Sequence, residues 1–264
     1  MIGIFDSGVG GMTVAKAVEQ LLPGKSLVYF GDLARTPYGS KSPETICKYS
    51  RQDTEFLLNK GAKIIIIACN TAASVASDLL KAEFDVPIFE VISPAIEKAL
   101  AVTVNSRIGV IGTRATIKSN IYETKIVEAR QEAKVFSQPC PLLVPLVEEG
   151  WLDKRETKMI IRRYLHPLQH KGVDTLVLGC THYPLLTHLI SPRIGRKVNV
   201  IDSSTAVADR VKRYLQDHPE VDNSLAAEGK SMYYVSDVTD AARLTAQRIF
   251  GRKLDLIQVD MEGI

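Results

Sequence analysis

The chain predicts an α/β protein of two pseudosymmetric domains, each an open, mainly parallel sheet. Three observations carry that expectation. Short apolar runs alternate with longer stretches of helical period, the pattern of repeated strand–helix–strand units. One such stretch occurs twice. Gly61 opens a run through Ile64-Ile65-Ile66-Ile67-Ala68 to Cys69-Asn70-Thr71, and Gly172 opens a run through Thr175-Leu176-Val177-Leu178-Gly179 to Cys180-Thr181-His182. Both glycines and both cysteines are displaced by 111 positions, without a gap. The likeness also extends outward. Gly3-Ile4-Phe5-Asp6-Ser7-Gly8 resembles Gly109-Val110-Ile111-Gly112-Thr113-Arg114, and the segment from Pro87 to Ser93 resembles that from Lys197 to Ser203. Roughly 1–94 and 106–205 therefore read as two copies of one αβ unit.

Taken in order, a strand over 2–5 runs through a glycine-rich loop into a helix over 12–22, and a strand over 26–30 follows. The helix over 43–60 starts with Pro43 at a first helical position after Ser42. Ile46, Tyr49, Asp53, Phe56 and Leu57 mark one face, with Asp53 its one polar intruder, and Gly61 ends it. The continuous β-branched run at 63–68 suits a parallel strand buried on both faces. It stops at Cys69, before a helix over 72–83. Strands near 87–91, 107–111, 133–137, 174–179, 197–201 and 231–235 alternate with helices over 116–131, 154–170, 184–191, 204–217 and 238–250. Residues from about 206 on have no counterpart in the second copy and are expected to pack back on the first. The expected domains are thus 1–94 plus 206–264, and 95–205. The stretch from Asp217 to Gly229 is the most loop-like.

The totals bound the function. A chain of 264 residues buries a substantial core. Its 45% hydrophobic and 24% charged residues are those of an ordinary soluble globular protein. A net charge of +3 gives no argument for a nucleic-acid partner. No apolar run approaches the ~20 residues of a membrane span. The amino terminus lacks the basic and apolar regions of a signal peptide. Four cysteines are spread along the chain, with no C-x-x-C and no histidine at metal-ligand spacing. Reduced thiols, a cytoplasmic location and no bound metal are expected.

Open α/β sheets place ligands at the carboxyl ends of their strands, and the candidate residues gather there. In Asp6-Ser7-Gly8-Val9-Gly10-Gly11, glycines let backbone amides approach a carboxylate or phosphate before a helix amino terminus. The dinucleotide fingerprint is nearly met, with Asp32 following a second strand, but Thr13 replaces its third glycine, and a lone fingerprint is weak. A plain tight turn also fits. Thr36-Pro37-Tyr38-Gly39-Ser40 is a rigid turn offering two hydroxyls. Cys69 and Cys180 each precede a helix, whose dipole favours a thiolate. A single buried cysteine is ordinarily inert, and Cys47 and Cys140 keep that reading. Two at matching positions of a repeat demand another. Thr113 and Thr116 add hydroxyls or merely cap a helix, and Glu148, alone, reads as a solvated acid.

Two thiols facing each other across one cleft suit proton transfer at carbon. One thiolate removes a proton, and the other thiol donates to the opposite face, which inverts a stereocentre. An unperturbed thiol pKa of roughly 8.5 leaves little thiolate at neutral pH, so each needs a helper. Asp6 beside Cys69 and His182 beside Cys180 are the candidates.

These motifs resemble a known family. Asp6-Ser7-Gly8-Val9-Gly10-Gly11, Pro37-Tyr38-Gly39, Ala68-Cys69-Asn70-Thr71-Ala72, Gly112-Thr113-Arg114-Ala115-Thr116 and Gly179-Cys180-Thr181-His182-Tyr183-Pro184-Leu185-Leu186 are similar to those of the glutamate racemases, in the aspartate/glutamate racemase superfamily. They stand in family order over essentially the whole chain. The resemblance implies a cofactor-independent enzyme with its active site in the cleft between the two domains, commonly a homodimer, supplying D-glutamate for peptidoglycan. It implies Cys69 and Cys180 as the proton donor/acceptor pair. It places the substrate's polar groups against Asp6, Ser7, Tyr38, Gly39, Asn70, Thr71, Thr113, Thr181 and His182, with Glu148 near the second thiol. Asn120 departs from the pattern, where a small residue is more usual. Racemisation of aspartate, a non-catalytic carboxylate-binding protein and a dinucleotide-dependent oxidoreductase are the competing readings.

Overall fold

A computed structural model describes residues 1–225 and 230–261. The strands are β1 (Ile2–Asp6), β2 (Leu27–Gly31), β3 (Ile64–Ile67), β4 (Ile88–Glu90), β5 (Arg107–Gly112), β6 (Lys134–Pro139), β7 (Thr175–Gly179), β8 (Asn199–Asp202), β9 (Met232–Val235) and β10 (Leu256–Gln258). The helices are α1 (Met12–Leu21), α2 (Pro43–Asn59), α3 (Asn70–Glu83), α4 (Ile92–Val102), α5 (Arg114–Lys118), α6 (Ile121–Ala129), α7 (Leu143–Glu148), α8 (Arg155–His170), α9 (Thr187–Ile194), α10 (Ser203–Asp217), α11 (Pro219–Ser224) and α12 (Asp240–Phe250).

Two sheets result, ordered β10-β9-β2-β1-β3-β4 and β6-β5-β7-β8. Among the described residues every ladder is parallel. Each sheet has its motif-bearing strands side by side at the centre, β1 with β3 and β5 with β7. Those central strands are apolar along most of their length, with polar residues only at their ends (Asp6, Arg107, Thr175), because helices cover both faces. The four isoleucines of β3 are wholly inaccessible to water, each worth about 1.5–3 kcal/mol of burial. The returning carboxyl-terminal segment adds β9 beside β2 and β10 beside β9. Where the chain first crosses between sheets, Asp174 gathers it. Its carboxylate accepts from the Thr103 hydroxyl at 2.6 Å and from the Val104 and Asn105 amides at 2.7 and 2.8 Å. Among the described residues no helix is long and apolar enough to cross a membrane.

The structure departs from the sequence reading in particular places. The expected helix over 116–131 is broken into α5 and α6 at Asn120, whose φ of 58° is left-handed; asparagine is among the few side chains that tolerate that region. Helix α4 was not expected. The Glu90 carboxylate caps it, accepting from the Ile92 and Ser93 amides, so the capping group sits in the preceding strand. Residues 184–191 form a 3₁₀ turn over Tyr183–Leu186 and then α9. Part of the loop-like stretch is α11, begun by Pro219 at its first turn; residues 226–229 lie outside the described residues. Helix α7 and strand β10 are too short for a periodic signal.

Candidate active site

The carboxyl ends of β1, β3, β5 and β7 open on one cavity of about 300 Å³. Its lining takes Ser7, residues 36–40, Cys69, Asn70 and Thr71 from the first half. Thr113, Arg114, Pro141, Val144, Pro145, Glu148 and residues 179–182 come from the second. The two repeat cysteines therefore share one cavity, each nearly buried. Cys47 and Cys140 lie outside it.

Cys69 is the N-cap of α3. Its sulfur accepts from the Ala72 amide at 3.5 Å, and its thiol donates to the Ser7 hydroxyl at 3.4 Å. Burial, then the nearby Asp6 carboxylate, pushes this thiol up to about 12. Asp6 is itself buried. Its carboxylate accepts from the Gly8 and Gly11 amides at 3.1 and 2.9 Å, and from the Thr181 hydroxyl of the other half at 3.4 Å. Burial raises the Asp6 carboxyl, although His182 and those amides oppose the rise.

Cys180 has different company. Its sulfur lies 4.0 Å from His182 Nδ1, and His182 Nε2 lies 3.2 Å from Glu148 Oε1. The Glu148 contact has ion-pair distance without the alignment of a hydrogen bond. Burial disfavours charge on His182, but Cys180 and Glu148 outweigh it and raise the imidazole to about 10. Gly10 makes room for this ring: a Cβ there would stand 2.4 Å from His182 Nδ1 and 2.5 Å from the Thr181 hydroxyl. Thr13 secures the same turn, its hydroxyl meeting the Thr181 carbonyl at 3.1 Å and the Ser204 hydroxyl at 2.8 Å.

The remaining walls are polar. Thr71 and Thr113, one from each half, have hydroxyls 3.3 Å apart, and Thr116 lies 3.0 Å from Thr113. Asn70 Oδ1 accepts from the Tyr122 hydroxyl at 2.7 Å, which fixes the amide, while its Nδ2 is buried without a protein partner. Such a donor needs an acceptor. Gly39 and Ser40 line the cavity, as does Tyr38, but the Tyr38 hydroxyl is engaged in the wall with Asp32 and Asp53. The dinucleotide reading fails on two of these contacts. Gly10 lies against His182 rather than facing an open loop, and Asp32 is fully buried among Arg35, Tyr38 and Ser236. Among the described residues no group of three or more His, Cys, Asp or Glu side chains could hold a metal.

All the sequence candidates thus sit in or directly beside one cavity. Sequence reading missed the supports, Tyr122, Thr13, Ser204 and the role of Gly10. Their partners lie in distant segments, and only the polar Asp53 on an apolar helix face signalled the wall network.

Known proteins resemble this chain over its whole length. The pattern defining the Asp/Glu/Hydantoin racemases matches residues 12–211. A glutamate racemase of Geobacter metallireducens is 44% identical over 263 residues, covering 99% of this chain and 97% of that protein. The chain belongs to this racemase family. Solved structures of racemases agree over the full fold. A glutamate racemase isoform from Bacillus anthracis superposes with a TM-score of 0.92 at 35% identity, covering 98% of this chain and 97% of the other. The glutamate racemase of Francisella tularensis, solved in complex with D-glutamate, gives 0.90 at 33% identity over 100% and 98%. The α/β fold with parallel sheets is thus that of solved racemases.

Proposed function

We propose that the protein interconverts L- and D-glutamate by proton transfer between two thiols, without a cofactor, and so supplies D-glutamate for peptidoglycan. The observation that carries this is the pair Cys69 and Cys180, placed at matching strand ends of two repeats and opening on one cavity. Relatives covering the whole chain are glutamate racemases, and one solved relative holds D-glutamate.

The residues divide the work. One cysteine, as thiolate, takes the α-proton, and the electron pair of the broken C–H bond stays on carbon. The other, as thiol, gives its proton to the opposite face. Each turnover exchanges the roles, so the reverse direction starts from the state the forward one leaves. Asp6 stands by the first thiol as the helper that relays its proton. His182, kept protonated, faces Cys180 with a positive charge that Glu148 holds in place. Asn70, Thr71, Thr113, Thr181, Ser7 and the turn at Tyr38 and Gly39 supply donors for the substrate's carboxylates.

The two lobes are proposed as 1–94 with 206–264, and 95–205, in a cytoplasmic homodimer. Light scattering tests the association.

The decisive experiment is isotope wash-in. Either enantiomer of glutamate, incubated with protein in heavy water without pyridoxal phosphate, should yield the other carrying α-deuterium. Aspartate should react far more slowly. A protein that binds glutamate but exchanges no α-proton would defeat the proposal.

A further inference from the structure

The Tyr38 turn forms one wall of the cavity, and behind it lies a buried polar cluster that the proton transfer does not use. Asp32 and Asp53 are both inaccessible to water. Asp32 Oδ2 accepts from Arg35 Nε at 2.6 Å and from the Tyr38 hydroxyl at 2.5 Å, and its Oδ1 accepts from the Ser236 hydroxyl at 3.0 Å. Asp53 Oδ1 accepts from Arg35 Nη2 at 2.9 Å, and its Oδ2 lies 2.8 Å from the same Tyr38 oxygen. Arg35 also donates to Gln52, and its guanidinium sits 4.1 Å from the centre of the Tyr49 ring.

Counting hydrogens decides the arrangement. A phenol has one hydrogen, yet the Tyr38 oxygen is within bonding distance of two carboxyl oxygens. Only one of those contacts can use the Tyr38 hydrogen. The other must be bridged by a hydrogen carried on the aspartate. Asp32 already takes donors on both oxygens, two of them on Oδ2, which is the work of an ionised carboxylate. Among the described residues Asp53 Oδ2 meets Tyr38, while Oδ1 takes the Arg35 donor as a carbonyl would. Two buried carboxylates beside one guanidinium would also leave an excess charge, which low-dielectric surroundings penalise heavily.

We propose that Asp53 is a neutral carboxylic acid that donates to Tyr38, that Tyr38 donates to ionised Asp32, and that this relay positions the Tyr38–Ser40 turn for substrate. Tyr38 is thus a positioning residue, and the substrate meets the backbone of its turn rather than the phenol. Burial, followed by the neighbouring Asp32 charge, pushes the Asp53 carboxyl well above the usual carboxylate range, in the same sense. The proposal rests on the racemase reading for what the turn binds, but the proton assignment stands without it.

The test contrasts isosteric variants. In Asp53→Asn the amide oxygen accepts from Arg35 and the amide nitrogen donates to Tyr38, so the relay is preserved. KM for glutamate should stay within about threefold of the parent and the melting temperature within a few degrees. In Asp32→Asn an acceptor is replaced by a donor facing Arg35 and Tyr38, so KM should rise at least tenfold with a smaller change in kcat. Asp53→Leu and Tyr38→Phe should also raise KM, because each removes a link. Equal damage from Asp53→Asn and Asp32→Asn would overturn the proton assignment. Tyr38→Phe with a collapsed kcat and unchanged KM would show the phenol acting on the reacting atoms and overturn the positioning role. If the parent does not racemise glutamate, that function fails, while the melting temperatures of the two asparagine variants still decide where the proton sits.

Discussion

Gly10→Ala tests how closely the two halves must fit at the second thiol. The added Cβ would stand 2.4 Å from His182 Nδ1, where carbon and nitrogen in ordinary contact are about 3.5 Å apart. The ring is buried and cannot swing into solvent, so it must retreat by roughly 1 Å. That displacement moves the imidazole relative to Cys180, from which Nδ1 lies 4.0 Å in the native site. A misplacement of about 1 Å in a catalytic constellation costs on the order of 10²-fold in rate, about 2.7 kcal/mol of barrier. The assay is racemisation followed by polarimetry from each enantiomer, with circular dichroism to confirm that the fold persists. Because enantiomers in water have equal free energy, kcat/KM must fall by the same factor in both directions. A folded Gly10→Ala protein within threefold of the parent would refute the claim that His182 must stay where this glycine lets it sit.

Replacing either thiol, as Cys69→Ser or Cys180→Ser, should abolish racemisation, whereas Cys47→Ser, outside the cavity, should keep nearly all of it; the wash-in experiment reads both. His182 contributes stability through a raised proton affinity. That contribution is complete below its ordinary value of 6.5 and disappears as pH rises through about 10. The melting-temperature difference between the parent and His182→Gln should therefore shrink over that window, and a pH-independent difference would contradict the assignment. Tyr122→Phe removes the donor that fixes Asn70. Leaving that buried carbonyl unpaired costs about 1–3 kcal/mol, seen as a lower melting temperature together with a several-fold rise in KM.

How far the sequence could be read depended on where each residue's partners lie. Strand β3 was legible because four adjacent isoleucines can only be a segment covered on both sides. The two thiols were legible because the repeat sets them at one offset, so each supports the reading of the other. Asp53 stood out as a polar residue on an apolar helix face, but its partners Arg35 and Tyr38 belong to another segment. The link from Tyr122 to Asn70 joins the two halves and leaves no trace in either local pattern. The break at Asn120 was hidden because a left-handed residue interrupts a helix without altering its apolar spacing. Helix α4 was hidden because its cap, Glu90, reads as the end of a strand.

Cys69 occupies a helix-capping position, where a hydroxyl is the better acceptor; at the start of α5, Thr113 supplies such an oxygen to the Thr116 amide. A thiol sulfur 3.5 Å from the Ala72 amide makes a weak cap, so the helix it begins is less secure than it need be. Serine there should give an inactive protein that melts at least as high as its parent. Under the proposed proton transfer, durability and reactivity pull against each other at this one atom, and sulfur in place of oxygen serves the chemistry rather than the fold.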